Sequence, residues 1–183
     1  MMHWVFDFLP MTVAGAYGYG ISVTALQLAE AFAALADDGR LRRPSLIMDA
    51  LNPPESILDP TIARQVSAML ETVTGPEGTG KKARVENYRV SGKTGTSRKS
   101  GSGGYKERRY IATFAGFAPS SDPKIAGVAI VNDPTNGEYF GGSVAGPLFS
   151  SVMAGALRLM DVPPDNYEGM VAASETAKSG GGQ

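Results

Sequence analysis

The stretch Arg89-Val-Ser-Gly-Lys-Thr-Gly-Thr-Ser97 decides how this chain is read. Tyr88, Val90 and the alternation that follows predict a strand, yet Gly92 and Gly95 remove side chains at two points, where another backbone or a ligand can approach closely. Around those glycines stand one fixed cation, Lys93, and two hydroxyls, Thr94 and Thr96. A carboxylate lying along such a strand meets a charge-assisted donor and neutral donors together. A solvated edge strand guarded by its lysine is the competing reading, and the segment alone does not separate the two.

Just upstream, Gly75-Pro-Glu-Gly-Thr-Gly-Lys-Lys82 has nearly the spacing of a phosphate-binding P-loop. Position 82 is lysine where a magnesium-binding Ser or Thr is needed, a helical pattern precedes the loop, and Val85 to Val90 reads as extended. A glycine-rich turn before a strand is preferred to a nucleotide site. Further back, Asp59-Pro60 pairs an N-cap with a first-turn proline, and Ile62, Val66, Met69, Leu70 and Val73 form an apolar stripe that Gly75-Pro76 ends. Thr24 with Gln27 makes a capping box, after which Ala25, Leu28, Ala29, Phe32, Leu35 and Ala36 recur at helical spacing until Gly39.

Downstream, Arg98 to Arg109 is rich in Gly, Ser and charge and reads as a mobile rim. Tyr110 to Ala118 and Lys124 to Val131 are strand patterns joined through Ser120-Ser-Asp-Pro123, a hairpin length. Both are apolar at almost every position, which predicts a sheet covered on both faces. A turn-rich loop from Asn132 to Gly142 carries Tyr139 and Phe140, and a last helix is expected from near Pro147, burying Phe149, Val152, Met153, Ala156 and Met160. The fold class is α/β of the α+β type, an antiparallel sheet with packed helices.

A chain of 183 residues is long enough for one domain with a real core, and its net charge of -1 gives no electrostatic reason to expect nucleic acid. Arg40, Arg42 and Arg43, and Lys106, Arg108 and Arg109, read as solvated faces. Without cysteine there is no disulfide, thiolate nucleophile or Cys-ligated zinc, and His3, the single histidine, builds no metal site. No metal and no cofactor are expected. Residues 1–16 are mostly apolar, are broken by Pro10, and lack both the length of a membrane span and the positive n-region of a signal peptide. They read as an irregular lead-in, and residues 162–183, rich in Ser, Ala and Gly, as a disordered tail.

Several segments, taken in order, resemble the penicillin-binding transpeptidase family: Gly18-Tyr-Gly-Ile-Ser-Val-Thr-Ala-Leu-Gln27, Gly78-Thr-Gly80, Tyr88-Arg-Val-Ser-Gly-Lys-Thr-Gly-Thr96, Phe114-Ala-Gly-Phe-Ala-Pro119, Asn132-Asp-Pro134 and Tyr139-Phe-Gly-Gly142. Within that family the chain is similar to the class B, cell-division type, down to the ending Met160-Asp-Val-Pro-Pro-Asp-Asn166. The resemblance runs from Tyr17 to Asn166. It implies a partial serine β-lactamase/penicillin-binding transpeptidase fold, with residues 17–161 as the carboxy-terminal part of the domain, and acyl transfer through a serine.

That family's signature is S-x-x-K, then an S-x-N-like element, then K-T-G; Lys93, Thr94 and Gly95 match the third. The resemblance implies that Lys93 and the hydroxyls of Thr94 and Thr96 bind the terminal carboxylate of a D-Ala-D-Ala stem peptide or of a β-lactam. It makes the Thr96 backbone N–H an oxyanion-hole donor, a role worth about 10²–10³ in rate, and places Arg98, Tyr139 and Phe140 along the cleft wall.

The other two signature elements lie upstream in the family, and this sequence does not show them there. Its one S-x-x-K, Ser121-Asp-Pro-Lys124, follows the K-T-G and puts a proline where the family starts a helix, and no S-x-N occurs. The expectation is a cleft wall of a D,D-transpeptidase that does not acylate alone, with peptidoglycan stem peptide, β-lactams and division proteins as the implied partners. A non-catalytic, partner-binding module is the alternative, and a nucleotide binder the least favoured. The family resemblance implies the periplasmic side of the inner membrane.

Overall fold

Thr24 caps the first helix from both directions: its hydroxyl accepts from the Gln27 N–H at 3.2 Å, and the Gln27 side chain accepts from the Thr24 N–H at 2.9 Å. The structure, a computed structural model, describes residues 22–47, 52–99 and 109–166. The lead-in over 1–16 and most of the rim over 98–109 lie outside the described residues. Helix α1 (Ala25–Ala36) stops at Gly39, whose φ of 83° suits a residue without a side chain. A two-stranded antiparallel ribbon follows, β1 (Arg40–Leu41) with β2 (Glu55–Ser56). Helix α2 (Pro60–Thr72) opens as its sequence predicts, with the Asp59 carboxylate accepting from the Thr61 N–H at 2.7 Å.

A single 3₁₀ turn, Lys81–Ala83, leads to β3 (Ser91–Arg98), β4 (Tyr110–Ala118) and β5 (Ile125–Asn132), an antiparallel sheet in that order. Helix α3 (Gly141–Leu159) closes the fold. Alternation along β4 distributes the core to two faces. Phe114 and Ala118 join Val90, Phe149, Met153 and Leu157 under α3, with the Phe114 and Phe149 rings 4.7 Å apart. Phe117, of opposite parity, is buried on the other face near Leu35 of α1 and Ser67 of α2. Each buried phenylalanine contributes about 1.5–3 kcal/mol of transfer free energy, and the expected two-sided cover is what these residues build.

Five expectations need correction. The α3 helix begins at Gly141 and carries Pro147 inside it, because Gly141 packs on the carbonyls of Gly95 in β3 and Thr113 in β4, and Gly142 on that of Thr79. Its buried line is Ala145, Phe149, Met153 and Leu157, while Val152 and Met160 are exposed. On α2 the stripe is rotated: Ala63 is fully buried and Ile62 and Met69 face outward, since Ser67 approaches the sheet closely enough for its carbonyl to accept from the Ser91 hydroxyl at 2.9 Å. Val85 to Val90 is not a continuous strand but a tight turn, with Val85 bridged to Tyr88 and Asn87 at a φ of 65°. The chain after Asp161 stays docked through Asn166, where the Tyr88 hydroxyl donates to the Val162 carbonyl at 2.6 Å and the Asp165 carboxylate accepts from the Arg89 N–H at 2.7 Å.

Candidate active site

The geometry of the site follows from which way the β3 backbone points. The Lys99 N–H donates to the Arg109 carbonyl at 2.8 Å, one step beyond the Arg98–Tyr110 pair, so the odd-numbered residues of β3 exchange hydrogen bonds with β4. The N–H and C=O groups of Gly92, Thr94, Thr96 and Arg98 therefore point away from β4, off an edge that no described strand covers. The Thr96 N–H, expected from sequence to be a donor, lies on that open edge.

Side chains alternate independently of this. Thr94 stands opposite Phe114 and so rises on the α3 face, as does Thr96. Thr96 Oγ1 accepts from the Gly141 N–H at 2.9 Å. An amide can only donate, so this bond occupies a lone pair of the hydroxyl and leaves its proton available. The approach requires glycine, because a Cβ at Gly141 would collide with the carbonyl oxygens of Gly95 and Thr113. It also brings the amino end of α3, with its partial positive charge, against the middle of β3. Lys93 is exposed and lies along the same edge, its ammonium donating to the Thr94 carbonyl at 2.9 Å and standing 3.5 Å from the Thr94 hydroxyl. Cation, two hydroxyls, an outward N–H and a helix amino terminus thus converge, an arrangement that favours an anion with an extended backbone.

The rim residues named from sequence also cluster. Tyr139 stacks on Tyr110 with centroids 4.2 Å apart, Phe140 follows Tyr139 at 4.5 Å, and Tyr110 is the register partner of Arg98. Below them, Asp133 ties together three strand ends. Its carboxylate accepts from Lys99 at 3.1 Å and from the Arg109 guanidinium, so Arg109, though exposed, is pinned by a carboxylate. The Arg109 bond holds the Asp133 carboxyl below the usual carboxylate range, with Lys99 adding to the effect against an opposing desolvation.

Ser121 and Lys124, the one S-x-x-K, sit in the β4–β5 turn. The Ser121 hydroxyl donates to Asp165 at 2.7 Å, and Lys124 pairs with Asp122 at 2.6 Å. Each therefore has a carboxylate partner of its own. In the P-loop-like stretch the only helical turn is the 3₁₀ turn Lys81–Ala83. Sequence reasoning missed the contributions of Gly141, Asp133 and Thr79; the last lies 3.0 Å from the Thr94 hydroxyl. The one available signal for them was their place inside the short segments that carried the family resemblance.

Residues 7–154 match the family described as penicillin binding protein transpeptidase domain, and the chain belongs to that family. The match reaches back to residue 7, into the stretch read above as a lead-in. A probable peptidoglycan D,D-transpeptidase of Pseudomonas aeruginosa, PbpC, is 40% identical over 173 residues, covering 92% of this chain and 30% of the relative. The peptidoglycan D,D-transpeptidase FtsI of Escherichia coli K12 is 43% identical over 150 residues, covering 81% of this chain and 26% of the relative. Among solved structures, the apo TP domain of Burkholderia pseudomallei penicillin-binding protein 3 superposes with a TM-score of 0.70 at 44% identity, over 81% of this chain and 46% of that one. The chain thus spans about a quarter to a third of the curated relatives' length. The fold is that of a penicillin-binding transpeptidase domain. No helix among the described residues is long and apolar enough to cross a membrane.

Proposed function

We propose that this chain is the K-T-G side of a peptidoglycan D,D-transpeptidase of the cell-division type, which binds the carboxylate of a D-Ala-D-Ala stem peptide or of a β-lactam. One observation carries the reading: the Lys93 ammonium, the Thr94 and Thr96 hydroxyls and the outward Thr96 N–H stand together along the open edge of β3, donors set to meet an anion. A peptide laid along this edge adds as a further strand, its carboxylate held by Lys93, Thr94 and Thr96. Its penultimate carbonyl then meets the Thr96 N–H, which stabilises negative charge as it develops on that oxygen. Gly95 leaves room for the peptide, and Arg98, Tyr139 and Phe140 form the wall beside it.

The serine nucleophile and its lysine are supplied, in this proposal, by sequence outside these 183 residues; within them, Ser121 donates to Asp165 and Lys124 is paired with Asp122. Residues 17–161 act as the carboxy-terminal part of the transpeptidase domain, to which the family match adds residues 7–16 and the docked segment adds 162–166. By the same reasoning the working place is the periplasmic side of the inner membrane, with division proteins as partners. By itself the chain is a binding module. The test is an NMR titration of the ¹⁵N-labelled chain with an acetylated peptide ending in D-Ala-D-Ala. The Thr94 and Thr96 amides are expected to shift, and the same peptide ending in a carboxamide to bind more weakly; absence of these shifts, or equal response to both peptides, would overturn the reading.

A further inference from the structure

The loop before β3 enters the site through a single hydroxyl. Thr79 Oγ1 lies 3.0 Å from Thr94 Oγ1. The loop has little freedom to withdraw. The Gly80 N–H donates to the Val73 carbonyl at 2.8 Å, Gly80 packs against the Phe114 ring without space for a Cβ, and the Thr79 carbonyl fills the place a Cβ on Gly142 would take. Thr79 is therefore held between the end of α2 and the first turn of α3, with its hydroxyl on the central threonine of the K-T-G.

A hydroxyl has one proton to give. Were Thr94 to donate to Thr79, it would turn lone pairs toward an incoming carboxylate and repel it. Were Thr79 to donate, the Thr94 proton would be free to point off the open edge. The Lys93 ammonium, which also only donates, stands on the same side of the balance at 3.5 Å. Thr96 is arranged in the matching way, with the Gly141 N–H behind it at 2.9 Å.

We propose that Thr79 is a positioning residue: it donates to Thr94 and thereby fixes the Thr94 hydroxyl as a donor to the carboxylate of a peptide bound along β3. This rests on the carboxylate reading given above. Thr79 touches Thr94 and not the peptide, so its loss acts on recognition of the carboxylate and leaves the rest of the binding surface in place.

The experiment compares the full chain with its Thr79→Val, Thr79→Ala and Thr79→Ser variants, each titrated with N-acetyl-D-Ala-D-Ala and with the corresponding carboxamide. Thr79→Val and Thr79→Ala are expected to weaken carboxylate binding about five- to tenfold and to leave the carboxamide within about twofold. Thr79→Ser restores the preference. In a Thr94→Val background, Thr79→Ala adds no further loss. Equal weakening of both ligands, no weakening of either, or failure of serine to rescue would each overturn the proposal. A parent chain that shows no preference for the carboxylate would overturn the carboxylate reading itself, and this proposal with it, and is recognised because the defect precedes any substitution. Should valine unfold the chain, which a collapsed amide spectrum reveals, the alanine variant decides.

Discussion

Two places among the described residues combine a lysine with hydroxyl side chains, and they are chemically opposite. On β3, Thr96 accepts from the Gly141 amide and Lys93 lies along an open edge, so cation and protons remain available to a ligand. In the β4–β5 turn, the Ser121 hydroxyl donates to Asp165 and Lys124 is paired with Asp122. What separates them is the neighbours: the Gly141 N–H stands behind the Thr96 hydroxyl, while Ser121 and Lys124 each face a carboxylate. Residue types at a given spacing do not define a site until the direction of each hydrogen bond is known.

Removing the support of β3 should have the largest effect. Phe114→Ala empties the space between Gly80, Gly92 and Phe149 and is expected to cost about 3–5 kcal/mol, measured by urea unfolding. Gly141→Val strikes the carbonyls of Gly95 and Thr113. It should cost about 1–3 kcal/mol through overpacking and, by moving the amide away from Thr96, weaken carboxylate binding at least tenfold in the peptide titration. Asp165→Ala acts on the other cluster, freeing Ser121 and leaving the Arg89 N–H without this partner. A loss of about 1 kcal/mol is expected, with peptide binding unchanged; a loss of binding would mean that the two regions are not independent.

The smallest effect concerns acid. Folding lowers the Asp133 carboxyl below its ordinary range through Arg109 and then Lys99, so the unfolded chain takes up that proton at higher pH than the folded one. The stabilisation is complete above the ordinary carboxylate range and is lost as pH falls through the lowered folded value. Asp38, held by Arg64 at 2.8 Å, contributes with the same sign. Asp133→Asn should flatten part of the fall in melting temperature below about pH 5, while a parallel fall would show that Asp133 is not involved.

Much of the fold was legible because it is written locally. The Thr24–Gln27 box, the Asp59-Pro60 start and the K-T-G strand each depend on residues within a few positions, and the structure forms all of them. What was not legible depends on distant neighbours. Pro147 looked like the start of α3, but Gly141 and Gly142 extend the helix back to β3, which only the tertiary approach reveals. Ile62 and Met69 had the spacing of a buried face, yet the small Ala63 and Ser67 were what the sheet admitted. The hydroxyl pair of Thr79 and Thr94 and the clamp at Asp133 join residues from separate segments, and no local pattern announces either.

The most direct test of the contrast between the two clusters is the intact mass of the folded chain after incubation with excess penicillin, because acylation adds the whole drug to one serine. The account predicts an unmodified mass. A gain equal to the drug, mapped to Ser121, would contradict it by showing that the turn, and not the sequence beyond these residues, supplies the nucleophile.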